Sequence, residues 1–186
     1  MKISINNEVV LELSELQKKV IMNEVPEEIF DTDIRRRLDW CISHPANRFL
    51  ERNSENARKF LKEKGVASVP SDKLEFASLV FEHDPVQMSD KECEKHIVKV
   101  DGEEFFEITN TIKQLLKMDV AKNCCCIEWA KERLKWILIH KFENCMHNLR
   151  NEWESKLALS GIKQLPIDDE EFANLVFSQP EYKNRS

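Results

Sequence analysis

Residues 72–85 read DKLEFASLVFEHDP, and residues 169–180 read DEEFANLVFSQP. The two stretches share Glu-Phe-Ala-x-Leu-Val-Phe at a spacing of 96 positions. Working outward, residues 37–82 laid on 133–178 give 14 identities in 46 positions without a gap. They begin with Arg37/Arg133, Leu38/Leu134, Trp40/Trp136 and His44/His140, and continue through Leu61/Leu157, Gly65/Gly161, Pro70/Pro166 and Asp72/Asp168 into the quoted motif. Ordinary residue frequencies would give roughly three. At an offset of 95, Ile3–Glu8 meets Val98–Glu103 and Val10–Ser14 meets Phe105–Thr109. The chain therefore reads as a tandem duplication: 1–83 the first repeat, 84–96 a connector, 97–186 the second. Two copies are too few for a solenoid, and the spacing predicts a fused pseudo-dimer with a rough two-fold axis.

Each repeat opens on alternating apolar and polar residues around Asn6-Asn7 or Asp101-Gly102, dipeptides that tolerate positive φ in a tight hairpin. An isolated hairpin is marginal in water, so the two are expected to pack on helices and to join into one small sheet. Ser14 or Thr109 then reads as a helix N-cap, with Gln17 completing a capping box. Short helices are expected at about 15–23 and 110–120. A long helix follows, because Ile127, Ala130, Leu134, Ile137, Leu138, Cys145, Leu149, Trp153 and Leu157 recur at helical spacing until Gly161. From about 124 to 160 it would reach roughly 55 Å at 1.5 Å per residue. In the first repeat Pro45 stands where the second has Lys141, which predicts a kink or break near His44. The quoted motif reads as a closing helix, capped by Asp72 or Asp168 and stopped by Pro85 or Pro180. A strand is the rival reading of its Leu-Val-Phe. The fold class is helix-dominated α+β, each repeat a hairpin plus three helices.

Composition removes several functions. Hydrophobic residues make up 41% and charged residues 33% of the 186, and mean hydropathy is -0.51, as in a folded, water-facing protein rather than a disordered one. No apolar run approaches the roughly 18 residues of a membrane span. The first residues lack a signal-peptide core, so a cytoplasmic location is expected, in a host cell if the chain is viral. A net charge of -6 argues against a dedicated nucleic-acid binder. The six cysteines, Cys41, Cys93, Cys124, Cys125, Cys126 and Cys145, show no disulfide framework and are expected reduced. With three glycines and no phosphate-binding or hydrolase motif, no cofactor is expected.

Four groups of residues are candidates for chemistry. Arg37, Trp40 and His44, repeated as Arg133, Trp136 and His140, share one helical face at spacings of three and four. They suit a recognition patch present twice, or a cluster at the edge of the core. His140, Glu143 and His147 have spacing for a metal or a base–acid pair, but their first-repeat counterparts are His44, Asn47 and Glu51, so the set is not duplicated. Three consecutive cysteines point about 100° apart on a helix and cannot converge on one ion. Residues 35–64 are locally basic, and Arg48, Arg52, Arg58, Lys59 and Lys62 form the strongest candidate for touching phosphates. A solvated helix face is the simpler reading.

The string RLKWILIHKFENCMHNLRNEW (133–153), with the ending LVFSQPEYKNRS (175–186), resembles small uncharacterised proteins of tailed bacteriophages. Such proteins carry one repeat of this kind with a terminal FSQP-x-Y segment. The resemblance covers 97–186, with 1–90 as a diverged copy that departs at Pro45 and at Glu82-His83-Asp84. It implies no activity and transfers no functional residue. The expected function is a non-enzymatic interaction or structural module that binds another protein, a host or virion component, as a monomer or homodimer. The expected contacts are Arg37, Trp40, His44, Arg133, Trp136 and His140, with Gln179 and Tyr182 from the C-terminal segment. A nucleic-acid-associated protein using the basic helix is the alternative, and a metal or catalytic protein using His140, Glu143 and His147 the third.

Overall fold

Two turns open the sheet. Asn6 and Asn7 take φ of 49° and 69°, and Asp101 and Gly102 take 51° and 87°, so both hairpins use the doubly positive turn that their dipeptides favour. A computed structural model describes residues 1–119 and 125–183. Strands β1 (Lys2–Ile5) and β2 (Glu8–Glu12) form one hairpin, and β3 (His96–Val100) and β4 (Glu103–Ile108) form the other. They join antiparallel through β1 and β3, Ile3 opposite Val100 and Ile5 opposite Val98, into one sheet of order β2-β1-β3-β4. Each turn grips the other hairpin. The Asn6 amide nitrogen donates to the Lys95 carbonyl at 2.7 Å, and its oxygen accepts from Ile97 N–H at 2.9 Å. Asp101 accepts from Lys2 N–H at 2.7 Å.

The helices are α1 (Glu15–Met22), α2 (Glu27–Glu63), α3 (Lys73–His83), α4 (Asp90–Cys93), α5 (Asn110–Asp119), α6 (Cys126–Leu159), α7 (Asp169–Ser178) and α8 (Pro180–Lys183). Their ends follow local chemistry. Ser14 and Gln17 exchange the two bonds of a capping box at 3.1 and 3.0 Å. Asp72 accepts from Leu74 and Glu75 N–H, and Asp168 from Glu171 N–H, each at 2.9 Å. Gly65 and Gly161 end α2 and α6 at φ of 82° and 88°. In both cases the next residue, Val66 or Ile162, donates back to the carbonyl of Leu61 or Leu157, the closure that a left-handed glycine permits. The Leu-Val-Phe stretches are helical rather than strands.

Two prolines read as helix limits in the sequence. Of the kink or break expected near His44, no break occurs: α2 runs unbroken through Pro45. Proline removes one hydrogen bond and crowds the turn before it, yet its ring is buried here, and the packed helix carries the loss. Pro180 is a start as well as a stop: it stands at the first position of α8, where its missing N–H has no intrahelical partner to lose.

The contacts divide the chain into two compact units that do not coincide with the repeats 1–83 and 97–186. One unit, here the sheet unit, holds Lys2–Leu11 and Arg35–Lys135; the other, the α1 unit, holds Met1, Glu12–Ile34 and Trp136–Ser186. The division falls inside α2 and inside α6, so each unit draws on both halves of the chain. In the α1 unit, α1 packs on α7; in the sheet unit, α5 packs on α3. Both short helices bury one face, and the helices they pack on, α7 and α3, share the Glu-Phe-Ala-x-Leu-Val-Phe stretch. The sheet unit is built on Ala46, Leu50, Leu61, Phe76, Ala77, Phe81 and Leu115. The α1 unit buries Val20, Ile21, Leu149, Trp153, Phe172, Val176 and Phe177.

Candidate functional site

Four residues along a helix turn a side chain by about 40° and raise it by about 6 Å, enough to lay one ring over another. In the sheet unit the rings of Trp40 and His44 stack with centroids 4.5 Å apart and planes 16° from parallel. In the α1 unit Trp136 and His140 stack at 5.0 Å and 12°. Trp40 is 46% exposed and Trp136 45%, so each indole keeps one face on imidazole and is still nearly half open to solvent. Ile139, also exposed, stands between Trp136 and His140 on α6. A single exposed apolar residue is ordinary. Two exposed tryptophans, each held in one orientation by a histidine at the same repeat position, are not ordinary. Such a ring has lost rotamer freedom before any partner arrives, which is what makes aromatic anchors effective.

The arginines of the patch make other contacts. Arg37 is half-buried. The Arg133 guanidinium lies over the Trp129 ring at 5.5 Å, and its carbonyl accepts from Cys41 Sγ at 3.0 Å. The C-terminal pair also divides. Gln179 Nε2 donates to the Leu175 carbonyl at 2.9 Å, closing its own helix. Tyr182 is only 9% exposed and packs against Phe177 and Trp153, with centroids at 4.6 and 6.1 Å. It belongs to the core of the α1 unit, not to a surface patch.

His140, Glu143 and His147 do not converge. Glu143 reaches His140 Nδ1 at 3.8 Å, whereas His147 Nε2 accepts from Asn151 at 3.0 Å. Among the described residues no group of three metal-type ligands gathers. Cys124 lies outside the described residues. Burial pushes the thiols of Cys41 and Cys145 up to about 11 and of Cys126 to about 12, which keeps them protonated and weakly nucleophilic at neutral pH.

Arg48, Arg52, Lys59 and Lys62 are all exposed, and helical spacing sets them in one stripe on α2 with Glu55 among them. The stripe is roughly 21 Å long at 1.5 Å per residue. Arg58 leaves it: its guanidinium lies over the Phe76 ring at 5.2 Å.

Helical spacing alone misses two further features of the sheet unit. The first is a groove of about 250 Å³ between α2 and α3, with Phe49, Ala57, Phe60, Val80 and Asp84 in its wall and Met118 at its edge. Its trace in the sequence is Ala57, which stands 96 positions before Trp153. The second is a buried polar cluster. Lys113, 1% exposed, donates to the Glu94 carbonyl and to Asn110 Oδ1, and its burial drives the ammonium pKa down. Nearby, Glu92 is buried, which alone would raise its pKa. Hydrogen bonds from Lys117 and from the N–H and Oγ of Ser89 outweigh that and hold the carboxyl at about 2. All of these groups are satisfied within the unit, the mark of a structural network.

Among the described residues no helix is long and apolar enough to cross a membrane. The chain has no significant match to any family model, curated protein or solved structure.

Proposed function

We propose that the chain is a non-enzymatic interaction module that recognises another protein through the stacked pairs Trp40–His44 and Trp136–His140. The observation that carries this reading is the pair of half-exposed indoles, each braced by a histidine at equivalent positions 96 residues apart. Tryptophan supplies a large contact area at low entropic cost and is enriched among residues that dominate binding. A duplicated patch on one chain suits a partner with two equivalent faces or two nearby copies of one motif, where linking two weak contacts raises avidity without new contacts. The resemblance to small phage proteins makes a host or virion component in the cytoplasm the partner of choice, met by a monomer or a homodimer of this chain.

The test is a quantitative pull-down compared across variants. A genuine partner is retained by the wild type, is weakened about tenfold or more by Trp40→Ala or Trp136→Ala, and is lost from the double variant. Equal recovery by wild type and double variant sinks the reading. Nucleic acid is the second reading, favoured by the exposed stripe Arg48, Arg52, Lys59 and Lys62. In the same experiment a duplex retained at moderate salt, and released by Arg52→Glu with Lys59→Glu, would transfer the function to α2.

A further inference from the structure

The two closing helices meet their long helices through nearly identical residues, yet one seam is filled and the other is open. At the α6–α7 seam Trp153 is almost wholly buried. Tyr182, carried by the Pro-initiated turn α8, packs on it and on Phe177. Lys19 on α1 sets its ammonium 4.5 Å from the Phe177 ring and 5.6 Å from the Tyr182 ring. At the α2–α3 seam the counterparts are different. Ala57 stands for Trp153, Val86 for Tyr182 and Asp84 for Pro180, while Ala77, Val80 and Phe81 keep the identities of Ala173, Val176 and Phe177. Removing an indole and a phenol from a seam that is otherwise retained leaves the groove of about 250 Å³. Met118 stands beside it, 48% exposed.

The size of this groove decides what it can take. It lies below the ~300–1,000 Å³ of sites for drug-sized ligands and cofactors, and matches one aromatic side chain on a short segment. Charge decides the rest. Asp84 is the one ionised group in the groove wall, is exposed, and its carboxylate has no ion-pair partner among the described residues. An occupant that brings an aromatic ring and a neighbouring cation would fill the apolar floor and pair with that carboxylate.

We propose that the α2–α3 groove of the sheet unit is a receptor for a short segment of a partner protein in which an aromatic side chain is followed by a basic residue. The segment docks as α8 docks in the α1 unit: the ring lies on Val80 and Phe81 over the space that Ala57 leaves, and the cation reaches Asp84. This site does not depend on the stacked tryptophans, since Trp40 and Trp136 line no part of it.

The chain contains a ready probe of the required chemistry, the octapeptide SQPEYKNR of residues 178–185. The protein, labelled with carbon-13 at the methionine methyls, is titrated with this acetylated peptide and followed by NMR. The Met118 methyl is expected to shift saturably while Met146, buried in the α1 unit, stays in place. The same peptide with alanine for tyrosine leaves both unmoved. Ala57→Trp, which rebuilds the filled seam, weakens binding about tenfold or more, and Asp84→Asn weakens it roughly threefold at low salt. Circular dichroism establishes that each variant is folded; if Ala57→Trp is not, the Met118/Met146 contrast and Asp84→Asn decide. The proposal is overturned by no binding near 1 mM (roughly the weakest useful affinity), by a shift at Met146 instead of Met118, or by Asp84→Asn binding as the wild type does. Sedimentation of the unliganded protein adds a further outcome: a dimer abolished by Ala57→Trp would give the groove to a second copy and overturn the assignment.

Discussion

The α6–α7 seam and the α2–α3 seam close with the same Glu-Phe-Ala-x-Leu-Val-Phe helix, and they hold it by different means. In the α1 unit Arg150 is the clasp. Its guanidinium donates to Asp169 at 3.0 and 2.8 Å and to the carbonyls of Pro166 and Ile167 at 3.1 and 2.7 Å. It also lies 4.3 Å from the Phe172 ring. In the sheet unit the counterpart of Arg150 is Ser54, and the work is shared. Arg58 covers Phe76, and Lys73 pairs with Glu51 at 2.8 Å across an exposed face. The difference teaches that the motif specifies a helix and its docking face but not how tightly the seam is sealed. Sealing depends on one residue of the long helix and one beyond the motif, Trp153 and Tyr182 in one seam and Ala57 and Val86 in the other.

The sharpest way to break this comparison is to empty the filled seam. Trp153→Ala should cost about 3–5 kcal/mol, the range for removing a buried aromatic, read as a fall in the denaturation midpoint. A loss below about 1 kcal/mol would mean that the indole does not hold the seam. The clasp comes next. Arg150→Ala should cost about 2–3 kcal/mol, since it leaves several charge-assisted hydrogen bonds unmade on a half-buried surface. Arg58→Ala should cost about 1 kcal/mol or less, as for an exposed cation over a ring. Equal losses would erase the asymmetry. The last effect differs in kind, because it depends on pH. The Glu92 carboxyl is held at about 2, below its ordinary 4.5, so its contribution is complete above 4.5 and disappears as pH falls through 4.5 towards 2. Glu92→Gln should therefore lower the thermal midpoint at pH 7, by about 1–2 kcal/mol of stability, and should match the wild type near pH 2. A gap that persists at pH 2 would mean that Glu92 acts through packing, not charge. In the α1 unit Glu24 has the parallel role: burial opposes its charge, and bonds from Lys141 and Asn148, each at 2.7 Å, win and lower its pKa.

Local chemistry was legible in the sequence. Asn6-Asn7 and Asp101-Gly102 announce their turns, Ser14, Asp72 and Asp168 their caps, and Gly65 and Gly161 their helix ends, because each acts on atoms within a few residues. The stacked pairs were half legible: the spacing of Trp40 and His44 set them on one face, but ring-on-ring contact with histidine, and the placing of Arg133 over Trp129, needed the rotamers. Pro45 was half legible: its local cost is real, but that the helix continues through it shows only in the packing of its buried ring. Tyr182 misled because a C-terminal aromatic reads the same whether it faces a partner or its own Trp153. The exchange of α1 and α5 between the compact units left no trace, since their two seats, on α7 and α3, present nearly the same face.

That exchange sets an order in time. Val20 and Ile21 of α1 are covered in the unit that contains Phe172 and Val176, about 150 residues later in the chain. β1 pairs with β3, nearly 100 residues on. At synthesis rates of roughly 5–20 residues per second, the apolar stripe of α1 waits some 8–30 s for its seat, far longer than the microseconds in which a helix forms. The first 83 residues therefore leave α1 without its seat and β1 without its partner strand. The first half of the chain emerges as helices with uncovered faces, and α1 is covered only when α7 arrives.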